Sequence, residues 1–325
     1  MHAAGRDHDD DTDREARTMG RSTRRTRATS LALVVLLGAG LAAQDHPENV
    51  AVPAEETGSL EISLPFKPKL SIGYGILRYH EHDFDAAPGL ESKYEEKVIQ
   101  GMLGWEFLLG HHGFSLDIDF LHSFTGTETW TEFGTLAQED DLKIWRLGFE
   151  VSYLGSTWDR SIPASSLDGP SRFIRFGAGI GAYYRHQQFT RDDFVLYNPP
   201  GTSDGEVNEK FDMFGGEILL ELEIGPRDII AAFARGKGGG GYVTVTNDAL
   251  GSLEDDARIN TFGVQGTIEA GLVSQPVSHV EVRVGYRYCR MEVFTESTVT
   301  DGLLVQLPDN TTEVQVLFLE LAFPF

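Results

Sequence analysis

The chain has 325 residues, a formal net charge of −23, 41% hydrophobic residues, 36 glycines and one cysteine, Cys289. Ordinary apolar content argues against a bundle of membrane helices, and a lone cysteine excludes an intramolecular disulfide framework. The acidic balance argues against nucleic acid as a partner, because phosphates would be repelled.

In chain order, residues 1–44 read as a leader. Arg21, Arg24, Arg25 and Arg27 form a positive head. Leu31 to Leu41 form an apolar run too short to span a bilayer comfortably, and Gly40, Ala42 and Ala43 suit a signal peptidase. Cleavage is expected after Ala42 to Gln44. Met1 to Thr18 is polar and delays the positive head, so translation is expected to start at Met19. The plainer alternative is an uncleaved N-terminal anchor. With a signal peptide and one cysteine, the mature chain is expected beyond the inner membrane of a bacterium, or outside a cell. Residues 45–66, with Pro53, Glu55, Glu56 and Pro65, read as a periplasmic lead-in, and residues 67–325 as one domain.

From Leu70 onward, segments alternate at the two-residue period of strands, each near the roughly nine to eleven residues of a tilted membrane-crossing strand. The first puts Leu70, Ile72, Tyr74 and Ile76 on one face, and the second Ile99, Leu103, Trp105, Phe107 and Leu109. After a "GHHG" turn, the third sets Phe114, Leu116, Ile118 and Phe120 against Ser115, Asp117, Asp119 and Ser123. The fourth sets Trp145, Leu147, Phe149, Val151 and Tyr153 against Arg146 and Glu150; the fifth sets Ile174, Phe176, Ile180 and Tyr184 against Arg175 and Arg185. The sixth sets Phe214, Ile218, Leu220, Leu222 and Ile224 against Glu217, Glu221 and Glu223. The seventh, Ile229 to about Val245, is ambiguous in its face. Its "GKGGGG" lacks the order of a phosphate loop and reads as a kink or close-packing stretch. The eighth sets Phe262, Ile268 and Leu272 against Glu269; the ninth sets Val282, Val284 and Tyr286 against Glu281, Arg283, Arg287 and Cys289; the tenth is the C-terminal run.

Short turns follow the second, sixth and eighth strands, and long polar stretches follow the first, third, fifth, seventh and ninth. The link Gly155 to Ser171 breaks this alternation by being long. Aromatics gather toward strand ends, with Trp105, Phe107, Phe114 and Tyr153 at one end and Phe120, Trp145, Tyr184, Phe214, Phe262 and Tyr286 toward the other. A sheet in lipid must close on itself to pair every backbone amide. The fold class is therefore expected to be all-β, a closed antiparallel up-and-down transmembrane β-barrel of about ten strands, eight or twelve remaining compatible with the ambiguous seventh strand.

The chain ends "VLFLELAFPF", with Leu317, Leu319, Leu321, Phe323 and Phe325 at alternate positions. This resembles the assembly signal of bacterial outer-membrane β-barrels, over about residues 68–325. Pro324, which lacks an amide donor, departs from the pattern. The resemblance implies the outer membrane as location, with its lipid and the barrel-insertion machinery as partners, and names no functional family. Related barrels include omptin-like proteases, with aspartates and a histidine at the outer mouth, and lipid-modifying hydrolases.

The candidate chemistry is sparse. His80, Glu81, His82 and Asp83 in "YHEHDFD" could hold a general base or a metal-ligand pair; the plainer reading is a solvated loop. Adjacent His122 and Ser123 point to opposite strand faces and do not make a working pair. No catalytic, metal or cofactor residue is assigned. The inward charges matter most: Glu106, Asp117, Asp119, Arg146, Glu150, Arg175, Arg185, Glu217, Glu221, Glu223, Glu269, Glu281, Arg283 and Arg287. They either pair across a narrow interior or line a pore that favours cations, since acids outnumber bases. Outer-loop acids, among them Glu91, Glu128, Glu132, Glu139, Asp140, Asp141, Asp192 and Asp193, could take divalent cations bridging to anionic lipid; the plainer reading is a mutually repelling rim. The functional classes left open are a porin-like or structural surface barrel, a narrow cation-preferring channel, an outer-mouth hydrolase and an adhesin-like binder.

Overall fold

The computed structural model describes residues 66–82, 89–109, 112–162, 172–197, 200–203, 205–226, 229–247, 257–277, 279–294, 298–300, 303–305 and 309–324. The leader, its cleavage region, the lead-in up to residue 65 and Phe325 lie outside the described residues.

The described chain is all strand. In order these are β1 (Phe66–His82), β2 (Leu90–Leu109), β3 (His112–Ser123), β4 (Gly126–Glu132), β5 (Thr135–Ile162), β6 (Arg172–Tyr197) and β7 (Pro200–Ser203). Then come β8 (Val207–Ile224), β9 (Ala231–Asn247), β10 (Ala257–Val277), β11 (Val280–Phe294), β12 (Thr298–Thr300), β13 (Leu303–Val305) and β14 (Asp309–Ala322). Ten of them close an antiparallel ring in the order β1, β2, β3, β5, β6, β8, β9, β10, β11, β14, with β14 pairing back onto β1. Closure is continued past β14, where the Phe323 N–H donates to the Pro68 carbonyl at 3.0 Å.

Two strands lie outside the ring. β4 continues beyond β3 and pairs with β2 and β5, and β7 folds back on the end of β6. β12 and β13 form a separate two-stranded ladder. The β4–β5 hairpin turns through Phe133 and Gly134, both at positive φ (48° and 78°), the backbone of a two-residue hairpin turn.

The strands correct the expected length. β5 runs 28 residues and β6 runs 26, well past the length needed to cross a bilayer. The long link expected at Gly155 to Ser171 begins as strand: β5 continues to Ile162 through a register shift between Leu154 and Ser156 and pairs with β6 from Arg172, and residues 163–171 lie outside the described residues. The ambiguous face of the seventh expected strand is settled in β9, where Ala231 and Phe233 are buried and Ala232 and Ala234 are exposed. The glycine run lies within β9 opposite β8; a Cβ on Gly239 would strike the Gly216 carbonyl, and one on Gly241 the Phe214 carbonyl. Only glycine permits backbones to approach that closely.

Apolar residues change sides along β1, β8 and β14. Near the end where the chain enters and leaves, Leu70, Ile72, Tyr74 and Ile76 of β1 face outward, as do Ile218, Leu220 and Leu222 of β8 and Leu317 (71% exposed) and Leu319 of β14. Farther along, the same strands turn their apolar side chains inward: Leu77 and Tyr79, Phe211 and Met213, Val314 and Val316. The outward positions there become polar, with Arg78, Asp212, Lys210 and Glu313.

Candidate functional site: the barrel interior

Because the ring is closed and side chains alternate, every second residue of each strand points into the interior. That interior has three layers.

The layer nearest the termini is ionic. Lys67 bonds Glu281 at 3.0 Å and lies 3.4 Å from Glu106; Lys69 bonds Glu106 at 3.0 Å and lies 3.2 Å from Asp117. Arg283 donates to Glu281 at 2.8 Å and lies 3.8 Å from Glu221 and from Glu320. Arg235 reaches Glu221 at 3.4 Å and Glu269 at 3.5 Å, and Arg287 donates to Glu269 at 2.6 Å and to Gln100 at 3.1 Å. Asp119 joins Arg185 at 2.9 Å and Arg146 at 3.3 Å; Lys237 pairs with Glu150, and Gln265 donates to Glu217 at 3.2 Å. Glu223 is fully buried, directly opposite Arg175 in the β6–β8 register. The guanidinium of Arg287 lies 4.7 Å from the Phe318 ring centre and that of Arg283 5.4 Å from Phe233, capping a small apolar cluster. A cavity of about 170 Å³ lies at this end, its walls including Lys67, Lys69, Glu106, Arg235, Lys237 and Pro324.

The middle layer is apolar. Leu77, Tyr79, Tyr94, Val98, Leu121, Leu142, Ile144, Tyr183, Phe189, Phe211, Met213, Val243, Val245, Ile259, Met291, Val293, Val314 and Val316 form one buried cluster, to which all ten ring strands contribute. Phe189 lies 4.4 Å from Tyr79 and meets Phe211 edge-on at 5.0 Å between ring centres. The third layer, at the far end, gathers Glu81, Glu128, Asp140 and Glu209 around Arg191.

Among solved structures, the outer membrane protease OmpT from Escherichia coli is similar with a TM-score of 0.55 at 10% identity, covering 83% of this chain and 99% of that one. The chain has the fold of an outer-membrane β-barrel. Neisserial surface protein A (TM-score 0.29, 10% identity, 80% and 97% covered) and the translocator domain of the Neisseria meningitidis autotransporter NalP (0.31, 9%, 82% and 90%) are further, looser barrel neighbours. No protein-family model and no curated protein matches the sequence. At such identity the likeness is one of fold alone.

Within this outer-membrane barrel fold, alternation places the inward set where its members meet one another. Reading the sequence overlooked Lys67, Lys69, Arg235, Lys237 and Glu320. Lys67 and Lys69 share the parity opposite Leu70 and Ile72, so the signal was present; Arg235 and Lys237 were hidden by the ambiguous strand. With these cations included, bases nearly match acids in the ionic layer.

His80, His82 and His186 do not join the interior carboxylates. His80 and His82 alternate with buried Tyr79 and Glu81, so they sit on the outward face, their rings 5.1 Å apart, with His80 3.8 Å from Glu91. His186 also faces outward, bonding Asp212 at 2.8 Å. Cys289 faces inward, 3.3 Å from the Thr267 hydroxyl.

The acids expected in outer loops divide. Asp83, Asp85, Asp204 and residues 254–256 lie outside the described residues. Glu91, Glu128, Glu132, Glu139, Asp140, Asp141, Asp192 and Asp193 are not loop residues: they lie on β2, β4, β5 and β6, and Glu128 and Asp140 are fully buried. The hairpin that carries them was invisible as strand because its two buried residues are carboxylates that face each other, so no apolar alternation marks it. Asp141, Asp192 and Asp193 form an exposed trio whose ligand atoms lie within 4.8 Å of one another.

Proposed function

We propose that this protein is a closed surface barrel of the outer membrane, which crosses lipid with its terminal half and raises its far half into water. One observation carries the reading: the apolar face inverts along the strands. Where lipid surrounds the wall, outward side chains are apolar and inward ones charged; where water surrounds it, outward side chains are polar and inward ones form a dry core. A core supplied by all ten ring strands occludes the lumen, which favours a structural or binding barrel over the narrow cation channel. The outer-mouth hydrolase loses support because His80, His82 and His186 are turned away from the interior carboxylates. What remains for function is the far end, with exposed Phe133 and Tyr197 and the acidic trio.

The partners of this reading are the membrane lipid and the insertion machinery that would recognise Leu317, Leu319, Leu321 and Phe323. Divalent cations at outer carboxylates belong to the same proposal, and calcium titration of the folded barrel, with and without Asp192→Asn, would register them at the trio. The deciding experiment is conductance of the refolded, leader-free protein in a planar bilayer, with folding checked by circular dichroism. A folded, silent barrel is expected; discrete cation-selective steps would overturn the closed reading.

A further inference from the structure

Beyond the apolar layer, four buried carboxyl groups meet one guanidinium. Arg191 of β6 donates through Nε to Glu128 of β4 at 2.7 Å, through Nη1 to Glu209 of β8 at 3.3 Å, and through Nη2 to Glu81 of β1. Glu81 also accepts from the Tyr79 hydroxyl, and its backbone N–H donates to the Ser92 hydroxyl of β2 at 3.3 Å. Glu209 is further hydrogen-bonded to Asn247 of β9. Asp140 of β5 stands directly opposite Glu128 in the hairpin register. Its Oδ2 accepts from Trp130 Nε1 and Gln138 Nε2, each at 2.9 Å. The other oxygens of the pair, Asp140 Oδ1 and Glu128 Oε1, are buried and have no hydrogen-bond partner.

Fully ionised, the knot would set four negative charges against one positive in a dry interior, at a cost of several kcal/mol per unpaired ion. Two acceptors facing each other are satisfied by a proton between them. A divalent metal would ask for roughly six oxygen ligands, and here Trp130 and Gln138 present N–H donors instead. We propose that Glu128 and Asp140 share one proton, and that this proton fastens β4, which lies outside the ring, to β5 as a pH-sensitive latch.

Both residues lie beyond the outward apolar rows. Burial and the facing Glu128 carboxyl push Asp140 up to about 7. A carboxyl whose folded value is raised binds its proton more tightly when β4 is paired with β5. The stabilisation is therefore fully present below the ordinary carboxylate range, declines as pH rises, and is gone above about 7. Deprotonation leaves two carboxylates opposed across one ladder, with Arg191 holding only Glu128.

The test uses the full folded chain in detergent, at about pH 6 and about pH 9. Buried Glu81 and Glu209 are also pushed up by burial, so the infrared difference between wild type and Glu128→Gln is read: it is expected to contain the C=O stretch of one buried protonated carboxyl at the lower pH and none at the higher pH. Hydrogen exchange of the amides of residues 127–141, corrected for intrinsic rates, should lose about tenfold protection across that interval, while Asp140→Asn makes protection independent of pH. Absence of that difference band at the lower pH would overturn the proposal. So would a stoichiometric metal in elemental analysis whose removal by chelator loosens the hairpin.

Discussion

At the scale of single residues, the ionic layer is a network in which most carboxylates answer to more than one cation. Glu269 sits between Arg287 and Arg235, and Glu281 between Lys67 and Arg283. Such pairs gain little over apolar packing when whole, but breaking one leaves a buried charge exposed to its neighbours without compensation. Arg287→Ala is therefore expected to destabilise the barrel by about 3 kcal/mol, the lower part of the range for a broken buried pair, since Arg235 still faces Glu269. Urea unfolding in lipid vesicles would measure this. The double variant Arg287→Met with Glu269→Met should recover part of the loss; equal or greater destabilisation would mean that the pair contributes through geometry that methionines cannot replace. Most of this layer was legible in the sequence, because an inward charge flanked by outward Leu or Ile stands out by parity alone. Lys237 was not, because glycines on both sides gave its strand no apolar phase to read.

At the scale of elements, the strands are two structures in series. In β14, Leu319 and Leu317 face out while Val316 and Val314 face in, so the apolar phase flips within a few residues. The same inversion occurs in β1 between Ile76 and Leu77 and in β8 on either side of Gly215 and Gly216. On the proposed function, the flip marks the upper limit of the lipid on these strands. Leu319→Lys should cost about 2–4 kcal/mol, as cations do near the bilayer midplane, whereas Gln315→Lys on the same face should cost less than about 1 kcal/mol. Unfolding free energies in vesicles would check the pair, and equal costs would place the boundary elsewhere. The lower segments were readable because they obey one alternation. Their continuation escaped notice because the inverted phase resembles loop when the outward phase is extended through it, as in "ILRYHEH" of β1.

At the scale of the whole molecule, the ten-stranded ring leaves an interior narrow enough for side chains to fill. It is filled twice, by ion pairs in the terminal half and by an apolar layer above. The large rings of Tyr79, Phe189 and Phe211 occupy the centre of that upper layer. Phe189→Ala combined with Phe211→Ala removes two of them and should turn the silent barrel into one with flickering conductance in a planar bilayer. A folded double variant that stays silent would place the block in the ionic layer instead. Each large-to-small change also carries about 3–5 kcal/mol of cavity cost, so folding must be verified alongside.

The sequence by itself determined the closed antiparallel barrel of about ten strands and the parity of many of its inward charges. These follow from local two-residue alternation, which any segment displays without its partners. Only the tertiary structure decided that an apolar cluster from all ten ring strands lies in the interior, that Lys67, Lys69, Arg235 and Lys237 join the acids, and that Glu128 and Asp140 face each other in the far end. Those facts depend on which strands meet across the ring and in what register. Backbone pairing between residues far apart in the chain sets them, and alternation along one strand carries no information about it.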